Sequence, residues 1–254
     1  MDLNYELTGP ANAPVVVLSN SIGTDLTMWD PQLPALAEHR VLRYDQRGHG
    51  RSPTPPGPYD LGQLGEDVLR MLDAEGIESA HFAGVSLGGM IGMWLAQHHP
   101  DRIDQLALLC TSAELGPPEA WRERAATVRE QGTGAVAEPS FHRWFTPEFA
   151  QRADVADKYL PMIRNAADEG YAGCCEAIAS MRLVDQLERI TAPTLVLAGR
   201  DDPATPPSHA EQIGAGIPNS VVRTLDNAAH LANVEQADEV NRLLTAHFAG
   251  RALT

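Results

Sequence analysis

The chain is poor in several things that other protein classes depend on. It has three cysteines in 254 residues, Cys110 at the end of an apolar run and Cys174 next to Cys175. An odd count without ligand spacing gives neither a disulfide framework nor a zinc site, so no metal is expected. No apolar run approaches the ~18 residues of a membrane span, so no membrane partner is expected. Basic residues are scarce: 19 Lys and Arg stand against 34 Asp and Glu, for a net charge of −15. A phosphate backbone is met by a Lys/Arg-rich face, which argues against nucleic acid as a partner. The opening MDLNYELTGP has no basic start and no apolar signal core, which makes the cytoplasm the expected location. Repeats and low-complexity tracts are missing too. What remains is a composition of 43% hydrophobic and 21% charged residues, that of a globular protein able to bury a sizeable core. The acidity itself reads first as solubility. It also means that an anionic substrate must find a local basic group against an unfavourable field.

Short apolar runs alternate with helical patterns. Val15–Ser19, Val41–Tyr44, His81–Val85 and Leu106–Cys110 read as buried strands bounded by Gly, Pro or Asp. Leu61–Glu75 and Leu87–His99 carry helical spacing, with Gly76 and Pro100 as stops. The rhythm returns in Thr194–Ala198, Val221–Leu225 and a terminal helix over Val234–Phe248. Strands separated by helices predict an α/β fold, a mostly parallel sheet with helices on both faces. Between about Glu114 and Ile190 no strand pattern occurs, and the stretch is helical, charged and broken by Pro117, Pro118, Pro139 and Pro147. The predicted organisation is a core of 1–113 and 191–254 with a helical lid, 114–190, inserted over the carboxyl edge of the sheet, where open α/β sheets bind ligands.

Gly84-Val85-Ser86-Leu87-Gly88 is the strongest local signal. A G-x-S-x-G arises by accident in about one chain in ten of this length. Its setting, a strand before and a helix after, is what a nucleophile elbow needs: Gly on both flanks lets the turn close and leaves the Ser hydroxyl projecting. A phosphate-binding loop is the alternative, but no Walker-type Lys follows. A serine needs a base, itself oriented by a third group. Of nine histidines, His98, His99 and His247 fall in helical patterns and read as surface residues. His39 and His81 stand at strand starts, and His209 at a helix start. His49, in Asp45-Gln-Arg-Gly-His-Gly50, reads as a structural turn residue. His230 lies in a loop of small residues between the last strand and the last helix, the place of the base in the order Ser, Asp, His. Asp201 and Asp202 both follow the preceding strand. The G-x-x-D spacing from Gly199 picks Asp202 and leaves Asp201 as a solvated neighbour. Acyl transfer also needs donors for an oxyanion, and position assigns the backbone N–H groups of Leu87 and Ile22.

Beyond these motifs, the chain resembles the 3-oxoadipate enol-lactonases of the α/β-hydrolase fold. The likeness rests on Leu18-Ser-Asn-Ser-Ile-Gly-Thr-Asp-Leu-Thr-Met-Trp29, Tyr44-Asp-Gln-Arg-Gly-His-Gly-Arg-Ser52, Arg143-Trp-Phe-Thr-Pro-Glu-Phe149, Gly170-Tyr-Ala-Gly-Cys-Cys175 and Asp202-Pro-Ala-Thr-Pro-Pro207. It spans nearly the whole chain, including the lid segments. Arg182 departs from it, standing where an acidic residue is expected. The resemblance implies opening of a small anionic lactone, 3-oxoadipate enol-lactone, to 3-oxoadipate in the breakdown of aromatic compounds, with no metal or organic cofactor. With an anionic substrate in view, Trp144 is expected to wall the pocket and Arg143 to meet the carboxylate. A general carboxylesterase or perhydrolase, or a C–C bond hydrolase, would keep the same triad. A non-catalytic ligand-binding protein on this fold is the more distant alternative. Sequence says nothing of oligomeric state.

Overall fold

A computed structural model describes residues 2–252. Seven strands form one sheet: β1 (Tyr5–Thr8), β2 (Val15–Ser19), β3 (Arg40–Tyr44), β4 (Ala80–Val85), β5 (Ile103–Leu109), β6 (Thr194–Gly199) and β7 (Ser220–Leu225), in the spatial order β1-β3-β2-β4-β5-β6-β7. All neighbours are parallel except β1 on β3. Interior strands such as β6, TLVLAG, are buried at every position, as expected for a sheet covered on both faces. The edge strands β1 and β7 alternate between more and less exposed residues instead. Sequence patterning did not reveal β1. It is four residues of polar alternation, and only pairing against β3 makes it a strand.

Helix α1 (Leu61–Ala74) opens on a capping box: the Asp60 carboxylate accepts the Gln63 N–H at 2.8 Å, and the Gln63 side chain accepts the Asp60 N–H at 3.2 Å. Helix α2 (Leu87–His98) is apolar nearly all round and lies buried against the sheet. Five α-helices separate β5 from β6, α3 (Pro118–Gln131), α4 (Gly134–Trp144), α5 (Pro147–Ala150), α6 (Ala153–Asn165) and α7 (Asp168–Ser180), followed by a 3-10 helix over Val184–Arg189. Helix α7 is seated on the turn after β3, where Gly48 and Gly170 approach so closely that a Cβ on Gly170 would lie 2.4 Å from the Gly48 Cα. The Ala167 N–H donates to the Gly48 carbonyl at 2.8 Å alongside. After β6 come α8 (Pro207–Gly216) and, past β7, α9 (Ala232–Glu235) and α10 (Ala237–Phe248). The terminal helical pattern therefore resolves into two helices.

Helix α10 corrects the reading of His247 as a surface residue. Val240, Leu243, Leu244, His247 and Phe248 form one buried stripe at helical spacing. His247 occupies the position that the period reserves for the core, and its Nε2 lies 3.0 Å from the Leu106 carbonyl. Among the described residues no helix is long and apolar enough to cross a membrane.

Candidate active site

Ser86 stands between β4 and α2 with φ 54° and ψ −115°, in a region that L-residues avoid at a cost of about 1–3 kcal/mol. Its surroundings force that conformation. A Cβ on Gly84 would lie 2.3 Å from the Gly88 carbonyl, and one on Gly88 would lie 2.1 Å from the Ser19 carbonyl. Neither position accepts any other residue without backbone movement. The Ser86 backbone is held as well. Its N–H donates to Leu109 at 3.0 Å, while its carbonyl accepts from Met90 N–H at 3.0 Å and the Thr111 hydroxyl at 2.6 Å.

His230 lies in the loop before α9, and its Nδ1 is 2.8 Å from Asp202 Oδ2. Both side chains are buried. Asp202 also accepts the Ala204 and Thr205 N–H groups at 2.8 and 3.1 Å and the Thr205 hydroxyl at 2.7 Å. Burial alone would raise its pKa. The charge and hydrogen bond of His230, together with the bonds from Thr205, outweigh burial and hold the carboxyl below its ordinary value. Asp202 is therefore ionised at neutral pH and fixes Nδ1 as the protonated nitrogen, which leaves the Nε2 lone pair available. Asp201 is exposed, and among the described residues no hydrogen bond joins its carboxylate to this network.

The segment Ser19–Gly23 lies across from the elbow. The Asn20 carbonyl accepts the Gly88 N–H at 3.0 Å and the Gln46 amide at 2.7 Å. His49, fully buried, accepts the Gly23 N–H on Nε2 at 2.9 Å and places Nδ1 2.9 Å from the Arg47 carbonyl. Burial lowers its pKa and keeps it neutral, so it serves as the brace of this loop. Between these anchors, neither the Ile22 N–H nor the Leu87 N–H has an acceptor among the described residues. The latter opens α2, where the helix dipole adds positive potential.

Ser86, Ile22 and His230 line one cavity of about 630 Å³, which is lined as well by Arg124, Arg143, Trp144 and Tyr171 from the helices between β5 and β6. Among the described residues Ser86 Oγ makes no hydrogen bond to His230, and the two groups share the cavity. Trp144 is 3% exposed. Arg143 is exposed at the rim. Arg182 lies elsewhere, on the surface, paired with Asp185 at 3.0 Å.

Sequence reasoning missed Arg124. Its Nε and Nη2 donate to the Tyr171 hydroxyl at 3.0 and 2.6 Å, and Nη2 donates to Ser140 Oγ at 2.5 Å. These partners are neutral oxygens, and among the described residues no carboxylate pairs with it. Burial works against the charge, and the interactions with Tyr171 and Cys175 together outweigh it, so the guanidinium stays protonated. Among the described residues no Asp or Glu lines the cavity.

The family model for the alpha/beta hydrolase fold matches residues 14–237. The chain belongs to the α/β hydrolase fold family. Within it, the hydrolase is 42% identical to 3-oxoadipate enol-lactonase 2 of Acinetobacter baylyi, over 96% of this chain and 92% of that one. The enol-lactonase structure from Burkholderia xenovorans LB400 superposes with a TM-score of 0.95 at 40% identity, covering 97% of this chain and 96% of the other. RutD of Variovorax paradoxus, by name a carbamate hydrolase, is 34% identical over 96% of this chain and 95% of its own. The resemblance to enol-lactonases seen in the motifs is thus borne out across the chain, and this protein is an ester hydrolase of that family.

Proposed function

We propose that this hydrolase opens 3-oxoadipate enol-lactone to 3-oxoadipate, a step in the breakdown of aromatic compounds. One observation supports this substrate over neutral esters: in a protein of net charge −15, the cavity beside Ser86 holds two arginines and no acid. An anion entering a half-dry cavity needs such a partner, and a guanidinium supplies parallel donors for a carboxylate. Arg143 at the rim and Arg124 deeper in the wall hold the substrate carboxylate, and Trp144 packs on the ring.

Ser86 Oγ attacks the lactone carbonyl while His230 Nε2 takes its proton, with Asp202 stabilising the imidazolium. The oxyanion accepts the Ile22 and Leu87 N–H groups. The ring C–O bond breaks and expels an enolate, which is protonated and tautomerises to the ketone. Water, activated by His230, then cleaves the acyl-serine and leaves a second carboxylate. These steps call on no cofactor.

The test compares kcat/KM on the enol-lactone and on p-nitrophenyl acetate for the wild type, Arg143→Ala and Arg124→Met. Hydrogen bonds to charged groups contribute about 1.5–3 kcal/mol, so each variant should lose about 10- to 100-fold on the lactone and stay within about 3-fold on the ester. Equal losses on both substrates would remove the arginines from recognition. Fast ester turnover without lactone turnover would favour a general carboxylesterase. Cleavage of a carbamate but not the lactone would favour the second reading, which the RutD likeness supports.

A further inference from the structure

His230 lies between two backbone N–H groups that both lead to the inserted helices. The Leu231 N–H donates directly to the Trp144 carbonyl at 2.8 Å. The Ala229 N–H donates to Glu235 Oε2 at 2.9 Å. The same carboxylate accepts the Thr146 N–H at 3.2 Å on Oε1 and 3.3 Å on Oε2, and the Thr146 hydroxyl on Oε1. The end of α4 and the residues just after it therefore grip the histidine on both flanks, and Glu235 is the clasp on one of them.

The loop needs such a clasp. Ala228 and Ala229 carry no polar side chain with which to lock their own backbone, and the Gln236 amide, at 2.8 Å, holds only the preceding Asn227 carbonyl. The sheet side holds only part of it: the Asp201 N–H donates to the Ala228 carbonyl at 2.9 Å, and Gly199 lies flat beneath, where a Cβ would come within 2.3 Å of the Ala229 carbonyl. Asp202 fixes the imidazole at Nδ1 but does not fix the backbone from which the ring hangs. A displacement of about 1 Å in a reacting group costs on the order of 100-fold in rate.

We infer that Glu235 is a positioning residue that ties the substrate-facing helices to the base, so that the wall formed by Trp144 and the alignment of His230 are set together. The inference rests on His230 being the base, as in the proposed function. Glu235 touches neither substrate nor reacting atoms. It acts through the Ala229 and Thr146 backbone.

The experiment takes Glu235→Ala, Glu235→Gln, Thr146→Val and the Glu235→Ala/Thr146→Val pair, with His230→Ala as reference. It measures kcat and KM on the lactone and on p-nitrophenyl acetate, the melting temperature, and the downfield proton resonance of His230 Nδ1, identified by its loss in His230→Ala. Glu235→Ala should lower kcat about 10- to 100-fold on both substrates with KM within about 3-fold, and should shift or broaden the resonance. Glu235→Gln, which keeps one acceptor oxygen, should recover part of the loss. The double variant should be no slower than Glu235→Ala alone, because both substitutions remove one shared contact. A kcat within about 2-fold of wild type in Glu235→Ala, or a lower kcat with the resonance unmoved, overturns the inference. Should Glu235→Ala fail to fold, Glu235→Gln and Thr146→Val are judged by the same kcat and resonance criteria. Activity retained in His230→Ala would instead refute the assignment of the base, a separate failure.

Discussion

On the sheet side of the cavity the backbone decides where groups stand. Ser86 is fixed by glycines that admit no Cβ, Ile22 by a loop braced on His49 and Gly88, and Asp202 by backbone N–H groups within its own turn. On the helical side, side chains decide: Arg124 is aimed by the hydroxyls of Tyr171 and Ser140, and Trp144 is packed into the cavity wall. Charge is distributed accordingly. The carboxylate of the sheet side is spent on an imidazole, whereas the two cavity-lining cations of the helical side, Arg124 and Arg143, pair with no carboxylate among the described residues. On the proposed chemistry, the sheet side breaks the ester bond and the helical side chooses which ester arrives.

The sharpest way to break this comparison is Ser86→Ala. If the chemistry resides on the sheet side, turnover should fall by at least about 1,000-fold on charged and neutral substrates alike, with unchanged melting. Residual turnover above about one per cent would end the serine mechanism. Next comes the pair Asp202→Asn and Asp201→Asn, assayed by kcat. The first should cost about 1,000- to 10,000-fold, since an amide at that position favours the wrong imidazole tautomer. The second, exposed and outside the network, should stay within about 3-fold. Similar losses in both would mean that the turn, and not one carboxylate, orients His230.

The smallest effect is one of pH on stability. His49 and His247 are held neutral by burial, with pKa values below the ordinary value. The unfolded chain takes up protons near pH ~6.5 that the folded chain refuses. Their contribution is therefore complete above that pH and is lost as pH falls toward the folded values. The urea midpoint should decline from pH 7.5 to 5.5, and His247→Gln should flatten the decline. The lowered carboxyl of Asp202 works in a separate, more acidic window, its contribution being present above ~3.9 and lost below it. A midpoint that rises on acidification would contradict the buried-neutral assignment.

The two sides also differ in how much of them sequence makes legible. Ser86, Asp202 and His230 follow from backbone rules that act over a few residues: a tight turn flanked by Gly, a spacing from a strand end, a loop of small residues. The parallel sheet follows from apolar runs such as TLVLA. Arg124 does not. Helix α3 carries Arg122, Arg124 and Arg129, and only tertiary packing shows that the first pairs with Glu119, the last with Glu169 and Glu176, and the middle one with neutral hydroxyls in the cavity wall. Glu235 is equally silent, since its partners lie six and 89 residues away. His247 was available in principle. Its position in the 240, 243, 244, 247, 248 stripe marks it as core once the stripe, and not the residue type, is followed.

The acid-free wall has a consequence for the end of the reaction. On the proposed chemistry the substrate enters with one carboxylate and leaves with two, because water converts the ester carbonyl into an acid. Guanidinium groups that welcome the monoanion welcome the dianion at least as well. Binding that is equally strong for substrate, transition state and product lowers KM without raising kcat. Turnover therefore sets a ceiling on how firmly this cavity should hold an anion. Arg143 stands at the exposed rim and Arg124 shares its donors with Tyr171 and Ser140. With one cation screened by water and the other partly occupied, the pair can capture a carboxylate and still release two.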